Sequence, residues 1–321
     1  MVRFNRSRRR IIALSFPLVG LIVLTGCSAN DSVSTAASPS MHSTSGAFEH
    51  VHGLGADPLT GDTYAATHQG VWLIPTDVLP DTYLTGAPRA NTTQPRQIAG
   101  LAQDTMGFTV AAPGQLLASG HPDPTEPSDL ALPNLGLISS TDGASTWTAL
   151  SLAGETDFHD LDAVPLNDGT LRVYGYDAGA GTIAVSDDSG LSWTAGANLA
   201  LRDLSTDPAQ ADRLYATTAA GVMVSTDAGR TFSALDGAPA LLLLDTIDAN
   251  AGGGLVGLDP SGAVWRQDAE TWTQTGTTGR APEAFTVVGG SSPWILVADA
   301  TGISASNDFG STWTALVSLS S

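Results

Sequence analysis

Short apolar runs separated by turns make up most of the chain from residue 50 onward. Residues 51–54, 62–67 and 70–73 are typical runs, and the segments between such runs are rich in Gly, Asp, Ser and Pro. Runs of this length, bounded by turn residues, predict β-strands rather than helices. The order strand, turn, strand, turn, strand recurs roughly every 40 to 55 residues, which is typical of a repeat architecture.

One eight-residue segment occurs four times, each time after the third strand of a unit. The copies are residues 140–147 (STDGASTW), 186–193 (SDDSGLSW), 225–232 (STDAGRTF) and 306–313 (SNDFGSTW). The pattern resembles the Asp-box, or BNR, repeat. Asp and Ser oxygens of such a segment accept hydrogen bonds from turn amides, Gly supplies a left-handed φ, and the aromatic residue packs between sheets. We therefore expect structural turns whose aspartates are not catalytic.

The units number six, which predicts an all-β, six-bladed β-propeller of the sialidase-like type over residues 48–321. Their first strands start near residues 51, 106, 159, 202, 243 and 285. Units one and five lack a true Asp-box, and Asp268 and Trp272 resemble a remnant of it in unit five. A seventh blade would have to lie between Trp72 and Met106, where the strand signal is poor.

The N-terminus is predicted to be a targeting segment rather than part of the fold. Residues 1–26 combine a basic head with an apolar run over residues 11–24, the layout of a secretory signal. The end of this segment, Leu24-Thr25-Gly26-Cys27, resembles a lipobox, which implies cleavage before Cys27 and attachment of lipid to it. Residues 27–47 then form a lipidated cysteine and a disordered tether. Residues 7–12 also resemble a twin-arginine signal, so the export route stays open.

These features place the protein outside the cytoplasm, anchored to the cell membrane by its lipid. Cys27 is the single cysteine of the chain, which excludes an internal disulfide and a thiolate metal cluster. The net charge of the whole chain is −19, and five of its 13 basic residues lie in the predicted signal, which has no acidic residue. A surface this acidic repels nucleic acid and favours cations, neutral ligands or basic partners. We expect no nucleotide cofactor.

Aligning the units predicts which residues share a face. The starts of first strands and the ends of second strands meet at one mouth of the axis, because neighbouring strands alternate in direction. All five histidines after residue 47 fall there, together with one methionine: His50, His52, His68, His121, His159 and Met106. Neutral imidazoles bind transition metals, and a thioether favours copper, so this set predicts a copper or zinc site. The alternative is that these histidines are polar plugs at strand ends.

A family resemblance adds a second hypothesis. The stretches 50–54, 66–68, 106–109, 119–122 and 157–159 resemble actinobacterial lipoproteins that are identified from their repeats as putative glycosyl hydrolases, or exo-sialidase-like proteins. This resemblance implies glycoside hydrolysis by paired carboxylates, for which Asp157, Asp177 and Asp299 are candidates, with Asp104 a further one. The Arg-Ile-Pro signature of sialidases is absent and their arginine triad is not evident, and no glutamate stands beside Tyr174 and Tyr176. Whether the protein is an enzyme therefore stays open.

A third hypothesis is a platform that binds an extracytoplasmic protein without catalysis, because fold alone does not determine function. The histidines would then be interface residues. The sequence favours a metal-associated role over a glycan substrate or a protein partner.

Overall fold

The structure is a computed structural model that describes residues 50–88, 92–123, 130 and 132–319. The predicted signal, Cys27 and the tether lie outside the described residues. Within them, no helix has the length and apolar character needed to cross a membrane. The predicted six-bladed β-propeller is confirmed.

Six four-stranded antiparallel sheets form the blades, in chain order. Blade one contains β1 (Val51–Ala56), β2 (Thr63–Thr67), β3 (Gly70–Ile74) and β4 (Arg96–Gln97). Blade two contains β5 (Asp104–Ala112), β6 (Gln115–His121), β7 (Leu137–Ser140) and β8 (Thr148–Ser151). Blade three contains β9 (Phe158–Pro165), β10 (Leu171–Asp177), β11 (Thr182–Ser186) and β12 (Thr194–Asn198).

The other three blades follow the same plan. Blade four contains β13 (Asp203–Asp207), β14 (Gln210–Thr218), β15 (Gly221–Ser225) and β16 (Ser233–Ala234). Blade five contains β17 (Leu243–Thr246), β18 (Leu255–Leu258), β19 (Ala263–Asp268) and β20 (Thr271–Thr277), with a 3₁₀ turn at Ala249–Ala251. Blade six contains β21 (Pro282–Val288), β22 (Trp294–Asp299), β23 (Gly302–Ser306) and β24 (Thr314–Ser318).

Side-chain packing closes the ring between blades six and one. The first strand of each blade contacts the first strands of its neighbours, and β21 contacts β1. Each sheet consists of four consecutive strands, so the sheets exchange no strand at this junction. Val51 and Leu54 of blade one pack with Leu296 and Val317 of blade six in one buried cluster. The apolar area buried at this seam therefore holds the two ends of the domain together.

The segment after β3 strengthens the same seam instead of forming a seventh blade. Leu79 and Tyr83 pack into the cluster between blades one and six, and Tyr83 Oη lies 2.7 Å from Thr63 Oγ1. Beyond this segment, only the two-residue strand β4 completes blade one. The predicted remnant in blade five is a tight hairpin, in which Asp268 at the end of β19 pairs with Thr271 at the start of β20.

Hydrogen bonds from one blade to the next join the inner strands. The carboxylate of Asp160 accepts from Leu204 N at 2.6 Å, and that of Asp162 from Thr206 N at 2.7 Å. Equivalent bonds run from Leu244 N to Asp203, from Val287 N to Asp245 and from Phe158 N to Ser119 Oγ. In each case the acceptor belongs to one blade and the amide to the following blade.

Burial beside the propeller axis changes the pKa values of these carboxylates. Desolvation raises the pKa of Asp160 to about 7 and that of Asp162 to about 6, and it also raises the pKa values of Asp203 and Asp245. The amide hydrogen bonds oppose this effect because they favour the charged form.

The four repeated segments form turns with the hydrogen bonds that their chemistry predicts. In blade three, Asp188 Oδ1 accepts from Ser192 N at 2.8 Å and from Ser186 Oγ at 2.7 Å. The hydrogen bond from the Ser192 hydroxyl, followed by those from Ser192 N and the Ser186 hydroxyl, lowers the pKa of Asp188 to about 2, so the aspartate holds the turn as a charged group. Trp193 Nε1 donates to Ser151 Oγ of blade two at 2.9 Å, which ties the turn to the neighbouring blade.

Two successive residues of each repeat, not one, have a left-handed backbone. In blade three these are Ser189 with φ 63° and Gly190 with φ 90°. Blade two carries Ala144 at the glycine position with φ 65°, so the turn can form with a Cβ there. A Cβ at Gly229 would meet side chains at 3.5 Å, whereas one at Gly190 would lie 2.2 Å from Leu137 Cδ2.

The difference between these two contact distances predicts that replacing glycine by alanine costs more stability at position 190 than at the equivalent position 229. Gly229→Ala should lower the free energy of unfolding by about 1 kcal/mol, the cost of a left-handed alanine. Gly190→Ala should lower it by about 1–3 kcal/mol more, because Leu137 must also move. Chemical denaturation of the two variants checks this prediction. Equal losses would show that backbone strain alone sets the cost.

Candidate functional site

Histidines gather at one mouth of the axis because strands of blades one to three begin or end there. His50 directly precedes β1, His52 lies within it, and His68 directly follows β2. His121 ends β6, and His159 is the second residue of β9. The structure divides these five residues into two groups, each organised around one aspartate.

The first group contains His50, His52, His68 and Asp104, and we call it the donor group. His52 Nε2 lies 3.3 Å from His68 Nδ1, and Asp104 Oδ1 lies 2.8 Å from the same Nδ1 atom. The distance from His52 Nε2 to Asp104 Oδ1 is 3.9 Å. Among the described residues, His52, His68 and Asp104 are the one set of three such side chains whose potential ligand atoms all lie within 4.8 Å of one another.

A bulge in the pairing of β1 with β2 shapes this group. Val51 pairs with Thr67 and Gly53 with Ala66, so the pairing register shifts at His52. The ring of His50 stacks on that of His68 at 5.7 Å between centroids, and the ring of His52 meets the His50 ring edge-on at 4.8 Å. The spacing of two residues had predicted that His50 and His52 share one side of the strand, and both rings do lie against His68.

The environment keeps His52 neutral. Burial, followed by the nearby His68 and His50, lowers the pKa of His52 to about 3. A neutral imidazole has a free ring nitrogen lone pair, the form that binds a metal ion. The donor group therefore contains an imidazole that stays unprotonated, and so able to accept a metal ion, at neutral pH.

The second group joins His121 and His159 through Asp157. Asp157 Oδ2 lies 2.8 Å from His159 Nε2 and 3.2 Å from His121 Nε2. The hydrogen bond to Asp157 raises the pKa of His159 above its ordinary value of 6.5. Asp157 Oδ1 is buried without a hydrogen-bond partner. Both imidazoles are thus held on a carboxylate rather than on the donor group.

A cavity of about 380 Å³ lies between the two groups. His50, His52 and His159 line it, together with Met106, Tyr176 and Arg202. Met106 thus lines the same cavity as His52, although it is not one of the three closely spaced donors. A narrower space of about 80 Å³ continues along the axis past Asp160 and Asp203.

The carboxylates considered for glycoside hydrolysis have local structural partners. Asp299 Oδ1 accepts from Thr301 N at 2.7 Å, and Asp177 Oδ1 accepts from Ala180 N at 2.8 Å, so both close turns. Tyr174 is buried and donates to Ala211 O, and burial raises its pKa to about 12. Its hydroxyl is thus engaged by a backbone carbonyl of blade four.

Sequence reasoning did not place two acidic residues, Asp104 and Glu283, beside the histidines. Asp104 had been considered for hydrolysis, not as a metal ligand, although its position at the start of β5 could have placed it at the mouth. Phe285 was taken as the start of the sixth unit, whereas β21 begins at Pro282. Glu283 is therefore the residue near the mouth, where Oε2 accepts from Val51 N at 3.3 Å and lies 3.7 Å from His50 Nδ1.

Comparison with solved structures supports the fold. An auxiliary nutrient binding protein from Bacteroides thetaiotaomicron superposes with a TM-score of 0.53 at 12% identity, over 78% of this chain and 67% of that one. The GH74 xyloglucanase from Xanthomonas campestris gives a TM-score of 0.51 at 16% identity, over 84% of this chain and 38% of that one. The GH74 enzyme of Niastella koreensis gives a TM-score of 0.50 at 17% identity, over 83% of this chain and 37% of that one.

This chain therefore matches less than two fifths of the length of either GH74 enzyme. At these identities the likeness shows the β-propeller fold and not an activity. Scans of protein-family profiles and of curated proteins find no match to the chain.

The low pKa of His52 predicts an unusual titration. In the metal-free protein, the Cε1–H NMR signal of His52 should stay at its neutral position from about pH 8 to about pH 5, where an ordinary imidazole gains a proton. The spectrum of His52→Ala assigns the signal. A midpoint near 6.5 would show that the ring is not desolvated.

The pKa of His159 is raised, in contrast to that of His52. Asp157→Asn should lower the pKa of His159, because the largest cause of its elevation is the hydrogen bond to Asp157. The stabilisation that this pair provides is full below pH 6.5 and is lost as the pH rises through the folded-state pKa. NMR titration measures the change, and Asp299→Asn, which alters a turn on the same face, is the control. An unchanged His159 midpoint in Asp157→Asn would contradict the assignment.

Proposed function

We propose that this protein is a lipid-anchored, extracytoplasmic β-propeller that binds one transition metal ion, copper or zinc, at the donor group. The observation that carries the proposal is the spacing of the ligand atoms of His52, His68 and Asp104, which are separated by 3.3, 2.8 and 3.9 Å. Zinc bound tetrahedrally to nitrogen and oxygen ligands at about 2.0–2.1 Å requires its ligand atoms to lie about 3.3–3.4 Å from one another. Small side-chain rotations would bring the three observed distances to this value.

The chemistry of the donor group agrees with this assignment. Two imidazoles and a carboxylate suit zinc and copper(II), and His50 is close enough to the group to supply a further nitrogen. Met106 lines the adjoining cavity, and a thioether there would favour copper. The acidic chain attracts cations from solution, which supports loading of the site.

The second group, His121 and His159 with Asp157, supplies no metal ligand in this proposal. Among the described residues, His121, His159 and Asp157 do not form a set of three ligand atoms within 4.8 Å of one another, whereas His52, His68 and Asp104 do. We therefore assign the metal to the donor group and leave His121 and His159 outside its ligands. This narrows the set of six residues that the sequence suggested.

The membrane anchor and the family assignment rest on sequence. The Leu24-Thr25-Gly26-Cys27 pattern supports lipidation at Cys27, and four copies of the Ser-x-Asp repeat support membership of the Asp-box propeller lipoproteins. A tether over residues 27–47 would let the domain work close to the outer surface of the cytoplasmic membrane without inserting into it.

Metal titration of the purified protein tests the function. Isothermal titration with zinc and with copper, combined with elemental analysis, should give one ion per chain. His52→Ala and Asp104→Asn should each weaken binding by about 100-fold or more, because loss of a ligand should cost at least as much as loss of a residue that supports one. His121→Ala removes an imidazole from the same face and should bind normally.

The other hypotheses give different results in this experiment. A glycoside hydrolase would bind no stoichiometric metal, would cleave a chromogenic glycoside and would lose that activity in Asp157→Asn or Asp177→Asn. A protein-binding platform would show neither behaviour and would retain a partner after chelation. Equal metal affinity in His52→Ala and the unaltered protein would overturn the assignment.

A further inference from the structure

Arg202 occupies an unusual position beside the donor group. It lines the 380 Å³ cavity that also contains His50, His52 and Met106. Its guanidinium donates to the carbonyl oxygen of Glu283 at 2.7 Å. A guanidinium has five N–H donors, so most of its hydrogen-bonding capacity is left for another group.

Arg202 differs from the two arginines of the blades that form ion pairs. Arg172 pairs with Asp187 and Asp212, and Arg213 pairs with Asp207. Within the part of the chain that the structure describes, Arg202 forms no ion pair. Its charge acts on Asp160 and Asp203 only beyond ion-pair distance, where it opposes the rise in their pKa values that desolvation causes, so a direct two-point contact with a carboxylate stays available to a ligand in the cavity.

The charges near Arg202 permit an anion there. Asp160 and Asp203 lie further along the axis, and desolvation raises the pKa values of both, so they repel an anion less than exposed aspartates would. A bound divalent cation would add further positive charge on the same side of the cavity.

The remaining wall of the cavity is apolar. The side chains of Tyr176, Leu201 and Met106 line it with Ala178. The whole space accommodates a molecule of a few to about a dozen non-hydrogen atoms, and its lining combines one guanidinium and three imidazoles with an apolar surface.

We propose that this cavity binds a small organic carboxylate, whose carboxylate group pairs with Arg202 and whose apolar part packs on Tyr176 and Leu201. The planar guanidinium matches a carboxylate in a two-point contact. The inference extends the proposed function, because a metal ion at the donor group would strengthen binding by presenting an open coordination position to the same ligand. The contact with Arg202 does not depend on that ion.

A weakly chelating aromatic carboxylate tests this site. The ¹⁹F NMR signal of 4-fluorobenzoate, titrated with zinc-loaded and with metal-free protein, reports its binding. Arg202→Gln should weaken binding about 5- to 10-fold in both forms, as expected for loss of a charge-assisted hydrogen bond at a partly exposed site. Arg230→Gln is a matched control, because Arg230 also donates to a backbone carbonyl but lies in a repeat turn.

The outcomes separate this inference from the metal assignment. Binding that depends on Arg202 and not on Arg230 supports the carboxylate site, even if the protein takes up no zinc. Zinc uptake with equal 4-fluorobenzoate affinity in Arg202→Gln and the unaltered protein, or with no binding at all, overturns the site and leaves the metal assignment intact. Tighter competition by inorganic phosphate than by acetate would overturn the choice of a carboxylate.

Discussion

The inner strands of the ring must satisfy their backbone amides at the junctions between blades, and side-chain acceptors meet this requirement. Asp160, Asp162, Asp203 and Asp245 each accept an amide hydrogen bond from the next blade, and Ser119 does the same for Phe158. At the seam, Glu283 accepts from Val51 N. Unpaired buried amides are costly, so these bonds fix neighbouring blades against one another at the five junctions that they span, from blade two round to blade one.

The candidate site is a consequence of this arrangement. Residues at strand ends reach the axis only if the blades keep their angle and register, and the acceptors that set the register lie beside the site. Asp160 follows His159 directly, and Ser119 holds the amide of Phe158, the residue before it. Glu283 both bonds to the start of β1 and approaches His50. Rigid strands thus position the imidazoles before any ligand arrives, which reduces the entropic cost of binding.

Two neighbouring groups use histidine in opposite ways. Burial among other imidazoles keeps His52 neutral, whereas a hydrogen bond to Asp157 favours the charged form of His159. Desolvation is the largest cause of the lowered pKa of His52, whereas the hydrogen bond to a close carboxylate is the largest cause of the raised pKa of His159. Asp157 Oδ2 contacts both His121 and His159, while Asp104 Oδ1 approaches His68 at 2.8 Å and His52 only at 3.9 Å. A group with a neutral imidazole and a group with a proton-holding imidazole can therefore lie side by side on one face.

The sequence by itself determined the blade number, the structural role of the repeats and the face on which the histidines lie. These follow from local rules, since turn residues, strand length and strand direction are all fixed by neighbours in the chain. The tertiary structure decided which aspartate each histidine contacts: Asp104 lies with His52 and His68, and Asp157 lies with His121 and His159. It also placed Glu283 at the mouth instead of Phe285, because β21 starts three residues before Phe285. Distances between blades depend on packing at their junctions, and no local pattern in the chain encodes them.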